Sequence, residues 1–329
     1  MNKILVIRYG TIGDTIFASA FYRELRKSLP DAKIDVLVDK TAGEVMKCCP
    51  YINEIHYIDG KYRHLLKYIF LFKQYDTVYF LKNDNFFSKT AFLAGVKERI
   101  GFDVKRNFML TTKVPYKNDK HEIDFYLDLL KSSGFKINNT NTELWLDNES
   151  KKDIDKLQLS KNRKKVLIQA FSRFKQKNWI DEYWVDVVNY LIENGNQVIL
   201  AGGSGDTDDY NRILSKVNTP SGIINVCGNL SIQESMCLID RVDLVIGIDS
   251  GLIHMAAALN IPSILLNGPT SLTRWKPRSN NCTVLSKNFN CSPCCFASSR
   301  NKRCLNKDSE CMASIKSEEV IHTIQEKQL

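Results

Sequence analysis

No apolar run in this chain is long enough to cross a membrane. The run Tyr68-Ile69-Phe70-Leu71-Phe72 falls far short of the roughly 18 residues that a helical span needs. The opening Ile4-Leu5-Val6-Ile7 follows Lys3 but stops at Arg8, short of the about 7–15 apolar residues of a secretory signal. Internal repeats at solenoid periods, low-complexity tracts and disordered composition are absent as well. So are zinc-finger and RNP signatures, which removes the usual nucleic-acid readers. A dinucleotide fingerprint G-x-G-x-x-G is missing too: Gly10-Thr11-Ile12-Gly13 supplies only G-x-x-G, and Arg8 stands where the first glycine would be. These absences lead to the expectation of a cytoplasmic globular protein that does not bind NAD or nucleic acid.

What is present fits two domains. The chain has 329 residues, 43% hydrophobic and 25% charged, which suits roughly two units of about 150 residues. The net charge of +9 is spread along the chain with a local excess at 151–177, a background field that favours anionic small ligands.

Hydrophobic periodicity predicts strands at 3–9, 33–38, 54–58 and 77–81 with amphipathic helices between them, the alternation of a doubly wound parallel sheet. A polar connector at 149–165 interrupts it. The alternation then restarts, with strands at 165–169, 197–200, 222–226, 244–248 and 263–266 and helices at 181–194, 231–240 and 252–259. A last helix at 317–328 is expected to be capped by Ser317. The reading is therefore α/β, with two Rossmann-like domains, 1–158 and 159–329. In such sheets ligands bind outside the strand carboxyl ends, here in a cleft between the domains.

Three loops after strands carry candidate chemistry. In the first, Gly10, Thr11 and Gly13 allow close backbone approach to an anion, and Asp14 lies in the first helical turn. Asp14 reads either as a dipole-compensating cap or as a general base. In the second, Ser172-Arg173-Phe174-Lys175-Gln176-Lys177-Asn178-Trp179, three cations in five residues suit a diphosphate or simply a solvated loop, with Trp179 as a packing anchor. In the third, Asp249-Ser250-Gly251 opens a helix of small residues, offering free amides and a hydroxyl to a phosphate, with His254 one turn in. Gly202–Gly205, with Asp206 behind it, is a further glycine-rich turn whose acid could meet ribose hydroxyls.

In this order, Gly10-Thr11-Ile12-Gly13-Asp14, Lys177-Asn178-Trp179, Asp249-Ser250-Gly251-Leu252-Ile253-His254-Met255-Ala256 and Asn267-Gly268-Pro269-Thr270 resemble glycosyltransferase family 9, the ADP-heptose:lipopolysaccharide heptosyltransferases. The resemblance covers almost the whole chain. It implies a GT-B architecture whose first domain binds the acceptor and whose second binds a nucleotide-sugar donor. It also implies inverting transfer without a catalytic cofactor or metal. On this resemblance Asp14 is the base and Lys177 the phosphate-binding lysine. Asp249, Ser250, Gly251 and His254 contact the donor diphosphate and sugar, and Leu230 packs on adenine. Ser172, Gly203 and Asp206 complete the donor set, with Gly10, Thr11 and Gly13 as the acceptor-side phosphate loop. The implied partners are ADP-heptose and a lipopolysaccharide or other glycan acceptor, and the reading admits peripheral contact with the inner membrane. One departure stands out: Phe174 and Gln176 intervene before the tryptophan, and Asn178 replaces a frequent histidine.

The rival readings are a nucleotide-sugar epimerase of similar architecture and a non-catalytic nucleotide- or nucleic-acid-binding protein. Near the end, Cys291, Cys294, Cys304 and Cys311 have spacings open to three states: a structural Zn²⁺ or iron site, reduced thiols in a packed loop, or disulfides. The acid pairs Asp153/Asp155 and Asp206/Asp208 read as connector and loop acids rather than a metal site.

Overall fold

The computed structural model describes residues 2–104, 108–117, 119–294, 304 and 309–327. They fall into two compact units, Met1–Trp145 and Leu146–Leu329.

The first unit is built on a six-stranded parallel sheet. Its strands are β1 (Lys3–Ile7), β2 (Lys33–Val38), β3 (Glu54–Tyr57), β4 (Thr77–Phe80), β5 (Glu98–Phe102) and β6 (Thr112–Val114), in the order β3-β2-β1-β4-β5-β6. The helices are α1 (Ile12–Phe17), α2 (Ser19–Ser28), α3 (Lys40–Met46), α4 (Leu65–Phe72), α5 (Asn85–Leu93) and α6 (Glu122–Ser132). β1 is central, and four of its five residues are buried, as expected of a strand covered on both faces. The single helix implied by Ile16, Ala20, Phe21, Leu25 and Leu29 is two helices, broken for one residue at Ala18. Its apolar face is nonetheless continuous.

The second unit repeats the plan with α7 (Asn148–Asp155), β7 (Lys165–Gln169), α8 (Asp181–Glu193), β8 (Gln197–Leu200), α9 (Thr207–Leu214), β9 (Ile224–Asn225), α10 (Ile232–Ile239), β10 (Leu244–Ile248), α11 (Gly251–Ala258), β11 (Ser263–Asn267), α12 (Leu272–Trp275), β12 (Cys282–Ser286), α13 (Glu310–Ala313) and α14 (Ser317–Glu326). The sheet order is β12-β11-β10-β7-β8-β9, all parallel. Within each unit the parallel strands point their carboxyl ends to the same end of their own sheet, where that unit's functional loops gather.

Two expectations shift. The division falls at 145/146 rather than 158/159, because α7 belongs with the second unit. Asp147 caps it, the Asp147 N–H donates to Gln233 Oε1 at 3.1 Å, and the Arg241 guanidinium holds the Lys151 carbonyl at 3.0 Å. The last helix has Lys316, not Ser317, at its cap: Lys316 N–H donates to Glu319, while the Ser317 hydroxyl is turned to Asp186 at 2.8 Å. Trp179 anchors as read, its indole N–H on the Ile315 carbonyl and its ring edge-on to Trp184.

Candidate active site

At the strand ends of the first unit, Gly10 takes φ +132°, a backbone state that favours glycine. A Cβ there would sit 3.4 Å from Lys82 Nζ and 3.5 Å from Arg8 Nη1. The Gly10 N–H donates to Asp39 Oδ2 at 2.7 Å, and the other oxygen of Asp39 caps α3 through the Ala42 N–H at 2.8 Å. Thr11 caps α1, accepting from the Asp14 N–H at 3.3 Å and giving its hydroxyl proton to Asp14 Oδ2 at 2.8 Å. Arg8 Nη2 reaches the same Oδ2 at 2.8 Å from a site only 4% exposed, whereas Asp14 is 27% exposed. Among the described residues, no hydrogen bond is made to Asp14 Oδ1.

The electrostatics follow from that geometry. Burial works to raise the Asp14 pKa, but the Arg8 charge and the hydrogen bonds from Thr11 and Arg8 outweigh it, leaving it below the usual carboxylate value. Lys82, above the Tyr9 ring at 4.0 Å, has its pKa lowered, by burial first and then by Arg8. Lys61 and the Tyr9 hydroxyl both engage Asp84, which caps α5 through the Phe86 and Phe87 amides. A part-exposed, ionised carboxylate with one oxygen clamped is thus surrounded by cations, an arrangement able to take a proton beside an anionic ligand.

At the strand ends of the second unit, Lys177 Nζ contacts Asp249 Oδ2 at 2.7 Å and the Asp249 carbonyl at 3.1 Å. His254 Nε2 lies 3.2 Å from Asp249 Oδ1. Burial opposes ionisation of Asp249, yet Lys177 and then His254 hold its carboxyl far below the ordinary range. Ser250 occupies the cap position of α11 without a side-chain cap bond, its hydroxyl going instead to Gln169 Oε1. Among the described residues, no side chain caps the first amides of α11, starting at Gly251, as an anion site requires. Lys177 is held in register by its own loop: Asn178 Oδ1 accepts from the Ser172 N–H at 3.0 Å, and the Ser172 hydroxyl accepts from the Phe174 N–H at 3.2 Å.

Gly203, Asp206 and Leu230 sit on a neighbouring pair of loops. Asp206 Oδ2 accepts from the Gly203 N–H at 2.9 Å, so this acid first closes its own turn. Gly228, at φ +74°, donates to the Gly202 carbonyl at 3.0 Å, and a Cβ on it would meet Ser204 Cα at 2.8 Å. That close approach brings the Leu230 segment onto the Gly202–Asp206 turn.

The cysteine segment packs beside the turn after β11. The Cys294 N–H donates to the Pro269 carbonyl, and a Cβ on Gly268 would come within 2.6 Å of Cys311 Sγ. The Cys311 thiol is pushed up to about 11, by burial first and then by Cys294, Cys304 and Cys291. The four thiols share one neighbourhood, but among the described residues the group whose ligand atoms all lie within 4.8 Å of one another is Asp35, Glu54 and His56. There the Lys33 ammonium already supplies a cation, 3.1 Å from Asp35 and 3.3 Å from Glu54. Of the five cysteines outside that segment, Cys49, Cys227, Cys237 and Cys282 are buried, as small hydrophobes would be, and Cys48 is half-buried.

The sequence profile of glycosyltransferase family 9 (heptosyltransferase) matches residues 65–305. The chain belongs to that family. Lipopolysaccharide heptosyltransferase 2 of Escherichia coli strain K12 is 27% identical over 307 residues, covering 86% of this chain and 87% of that one. Lipopolysaccharide heptosyltransferase 3 of Escherichia coli is 28% identical over 294 residues, covering 82% and 84%. The solved structure of E. coli ADP-heptose LPS heptosyltransferase II aligns with a TM-score of 0.83 at 22% identity, over 98% of this chain and 97% of that one. The fold is therefore GT-B and the protein is a glycosyltransferase, which sets aside the epimerase and the non-catalytic binder.

Within this family 9 enzyme, Lys177, Asp249 and His254 form one contact group, while Gly203 and Asp206 form a second on a turn against which Gly228 packs, two residues before Leu230. Reading the sequence missed Arg8 as the partner of Asp14, along with Asp39, Lys82 and Gln169. Arg8 and Gln169 were detectable as polar residues ending otherwise apolar central strands. Asp39 and Lys82 lie 25 and 68 positions from Asp14, and only the β2-β1-β4 order brings them near.

Proposed function

We propose that this enzyme is an inverting transferase that moves heptose from ADP-heptose to a lipopolysaccharide core or related glycan. The reading places it in the cytoplasm, peripheral to the inner membrane, with no metal in the transfer step. The carrying observation is the clamped Asp14: ionised, part-exposed, and with Oδ1 pointing to no described donor while Oδ2 is held by Arg8 and Thr11. In the step, the acceptor oxygen forms a bond to the anomeric carbon as its proton passes to Asp14 Oδ1. The bond from that carbon to the diphosphate oxygen breaks, and the nucleotide diphosphate leaves with the electron pair.

The leaving diphosphate needs charge compensation. Lys177 and the uncapped amides from Gly251, with the Ser250 hydroxyl and His254, supply fixed dipoles and a cation where that charge develops. Lys177 would exchange part of its contact with Asp249 for the phosphate. The nucleoside would lie against Leu230, with Gly203 and Asp206 beneath it and Ser172 steadying the lysine loop. Gly10, Thr11 and Gly13 would shape the acceptor side.

The test is a transfer assay with ADP-heptose against UDP-, GDP- and dTDP-sugars, on a lipopolysaccharide core acceptor in excess EDTA. The expected product carries heptose with inverted anomeric configuration. Turnover confined to another nucleotide, or lost in EDTA and restored by Mg²⁺, would overturn the reading.

Within the same reading Cys291, Cys294, Cys304 and Cys311 are proposed to hold a structural zinc or iron ion on the strength of their spacing, which requires their sulfurs to close in, since among the described residues no three of them lie within 4.8 Å of one another. Metal analysis of the purified protein, with a chelator-dependent drop in thermal midpoint, checks it. Metal-free protein of unchanged midpoint would leave these residues as packed thiols.

A further inference from the structure

Helix α4, Leu-Leu-Lys-Tyr-Ile-Phe-Leu-Phe, is apolar nearly all the way round, the composition of a helix covered on every side. Only one side of it is covered within its unit. Tyr68 and Phe72 are buried against Phe86 and Phe87 of α5. Leu66 and Phe70, one turn apart on the opposite side, are 69% and 65% exposed. Beside them a groove of about 610 Å³ runs between α4 and the edge strand β3, lined by Ile55, Tyr57, Lys67, Phe70, Leu71 and Gln74. The adjoining α5 adds Phe92, 49% exposed, and Leu93, 61% exposed.

Charge distinguishes among the possible occupants. From Lys61 to Tyr75 the chain carries Lys61, Arg63, Lys67 and Lys73 and no acidic residue; the nearest acids in sequence are Asp59, which lines the groove, and Asp76. Arg63, Lys67 and Lys73 are exposed and bracket the Leu66–Phe70 pair, with Lys73 Nζ 5.8 Å from the Phe70 ring centre. A two-fold contact with a second copy would set these cations against themselves. An apolar stripe rimmed by long cationic side chains instead matches the boundary of an anionic bilayer, where rings and leucines enter the acyl layer and lysines snorkel to the headgroups.

We infer that the first unit docks on an anionic lipid bilayer through the outer face of α4, with Leu66 and Phe70 inserted and Arg63, Lys67 and Lys73 on the headgroups. This deepens the proposed peripheral location by naming the face, and it rests on that reading only for its purpose. A glycan acceptor anchored in lipid would then be met by an enzyme already at the surface.

The test is flotation of the full chain with vesicles of phosphatidylcholine containing 30% phosphatidylglycerol, against pure phosphatidylcholine. Wild type should float with the anionic vesicles only, and less as salt rises. Leu66→Ser/Phe70→Ser and Lys67→Glu/Lys73→Glu should each lower the partition at least tenfold, with unchanged thermal midpoints because all four side chains are exposed. Transfer to a water-soluble acceptor fragment should not change. Equal flotation of wild type and variants, no flotation of wild type, or a wild-type dimer that the variants abolish would each overturn the inference. Wild type that transfers but does not float sinks only the docking face. Wild type that floats but transfers nothing sinks only the proposed reaction.

Discussion

Both units hold an aspartate in the segment that follows a central strand and tie it to a cation, yet they do so differently. In the first, Asp14 meets Arg8, a guanidinium almost entirely buried that keeps its charge at any working pH. In the second, Asp249 meets Lys177, a more exposed ammonium on a loop, and shares its other oxygen with His254. The first arrangement fixes a carboxylate and leaves one oxygen for a ligand. The second engages both carboxylate oxygens and leaves the lysine as the movable partner. Rigidity sits on the acid in one unit and on the acid's neighbours in the other. This is the division expected when one site handles a proton and the other a departing anion.

The sharpest way to break this comparison is Asp14→Asn, which should lower turnover by about 10²–10⁴-fold with donor affinity nearly intact. The same change leaves Arg8 buried without its counter-charge, so a destabilisation of about 1–3 kcal/mol is expected, less than for a fully buried pair because Asp14 is part-exposed. Adding Arg8→Met should restore the thermal midpoint and not the turnover. Recovery of both, or turnover within about threefold of wild type, would reduce Asp14 to a structural cap.

Next in size, Lys177→Ala should cost about 2–4 kcal/mol of transition-state stabilisation, a loss of roughly 30- to 1000-fold in turnover. Steady-state kinetics with and without saturating donor would show it. A change in donor KM alone would make Lys177 a ground-state contact and weaken the contrast with Asp14.

Acid should then separate the two aspartates by stability. Both have folded pKa values below the unfolded one, so each contributes fully at neutral pH and down to about pH 4, and the contribution fades as pH falls through the folded value. Asp249, with both carboxylate oxygens engaged where Asp14 has one, should contribute more. Thermal midpoints from pH 7 to 2.5 should therefore flatten more in Asp249→Asn than in Asp14→Asn. The reverse order would contradict the comparison.

The smallest effect concerns Ser250. Losing its bond to Gln169 through Ser250→Ala should weaken donor binding by about 1 kcal/mol, roughly fivefold. Gln169→Leu should do the same, and the double variant little more, because both remove one contact. Strict additivity by calorimetric titration would show that the two side chains act separately.

The sequence was legible where one residue type answers to one local rule. Alternating apolar runs located nine of the twelve strands among the described residues, but Glu98–Phe102, Thr112–Val114 and Cys282–Ser286 were missed. These are short or lie toward sheet edges, and polar residues such as Arg99, Lys113 and Thr283 interrupt their apolar pattern. Among site residues, those beside glycine-rich turns were identifiable, since the turn itself announces a strand end. Their electrostatic partners were not. Arg8 is visible as a polar residue closing an apolar strand, but nothing local names Asp14 as its partner, and the pairing of Asn178 with Ser172 depends on how the loop folds back. Asp206 closes its own turn through the Gly203 amide, a bond that its sequence neighbourhood does not announce.

One carboxylate has a consequence for how the first unit opens. Asp39 binds the Gly10 amide with one oxygen and the Ala42 amide with the other, so the loop carrying Asp14 and the start of α3 share a single fastening. A motion that displaces Asp39 breaks both bonds at once. The two amides should exchange their hydrogens for deuterium at one common rate, as a single opening unit, although they stand more than thirty residues apart in the chain.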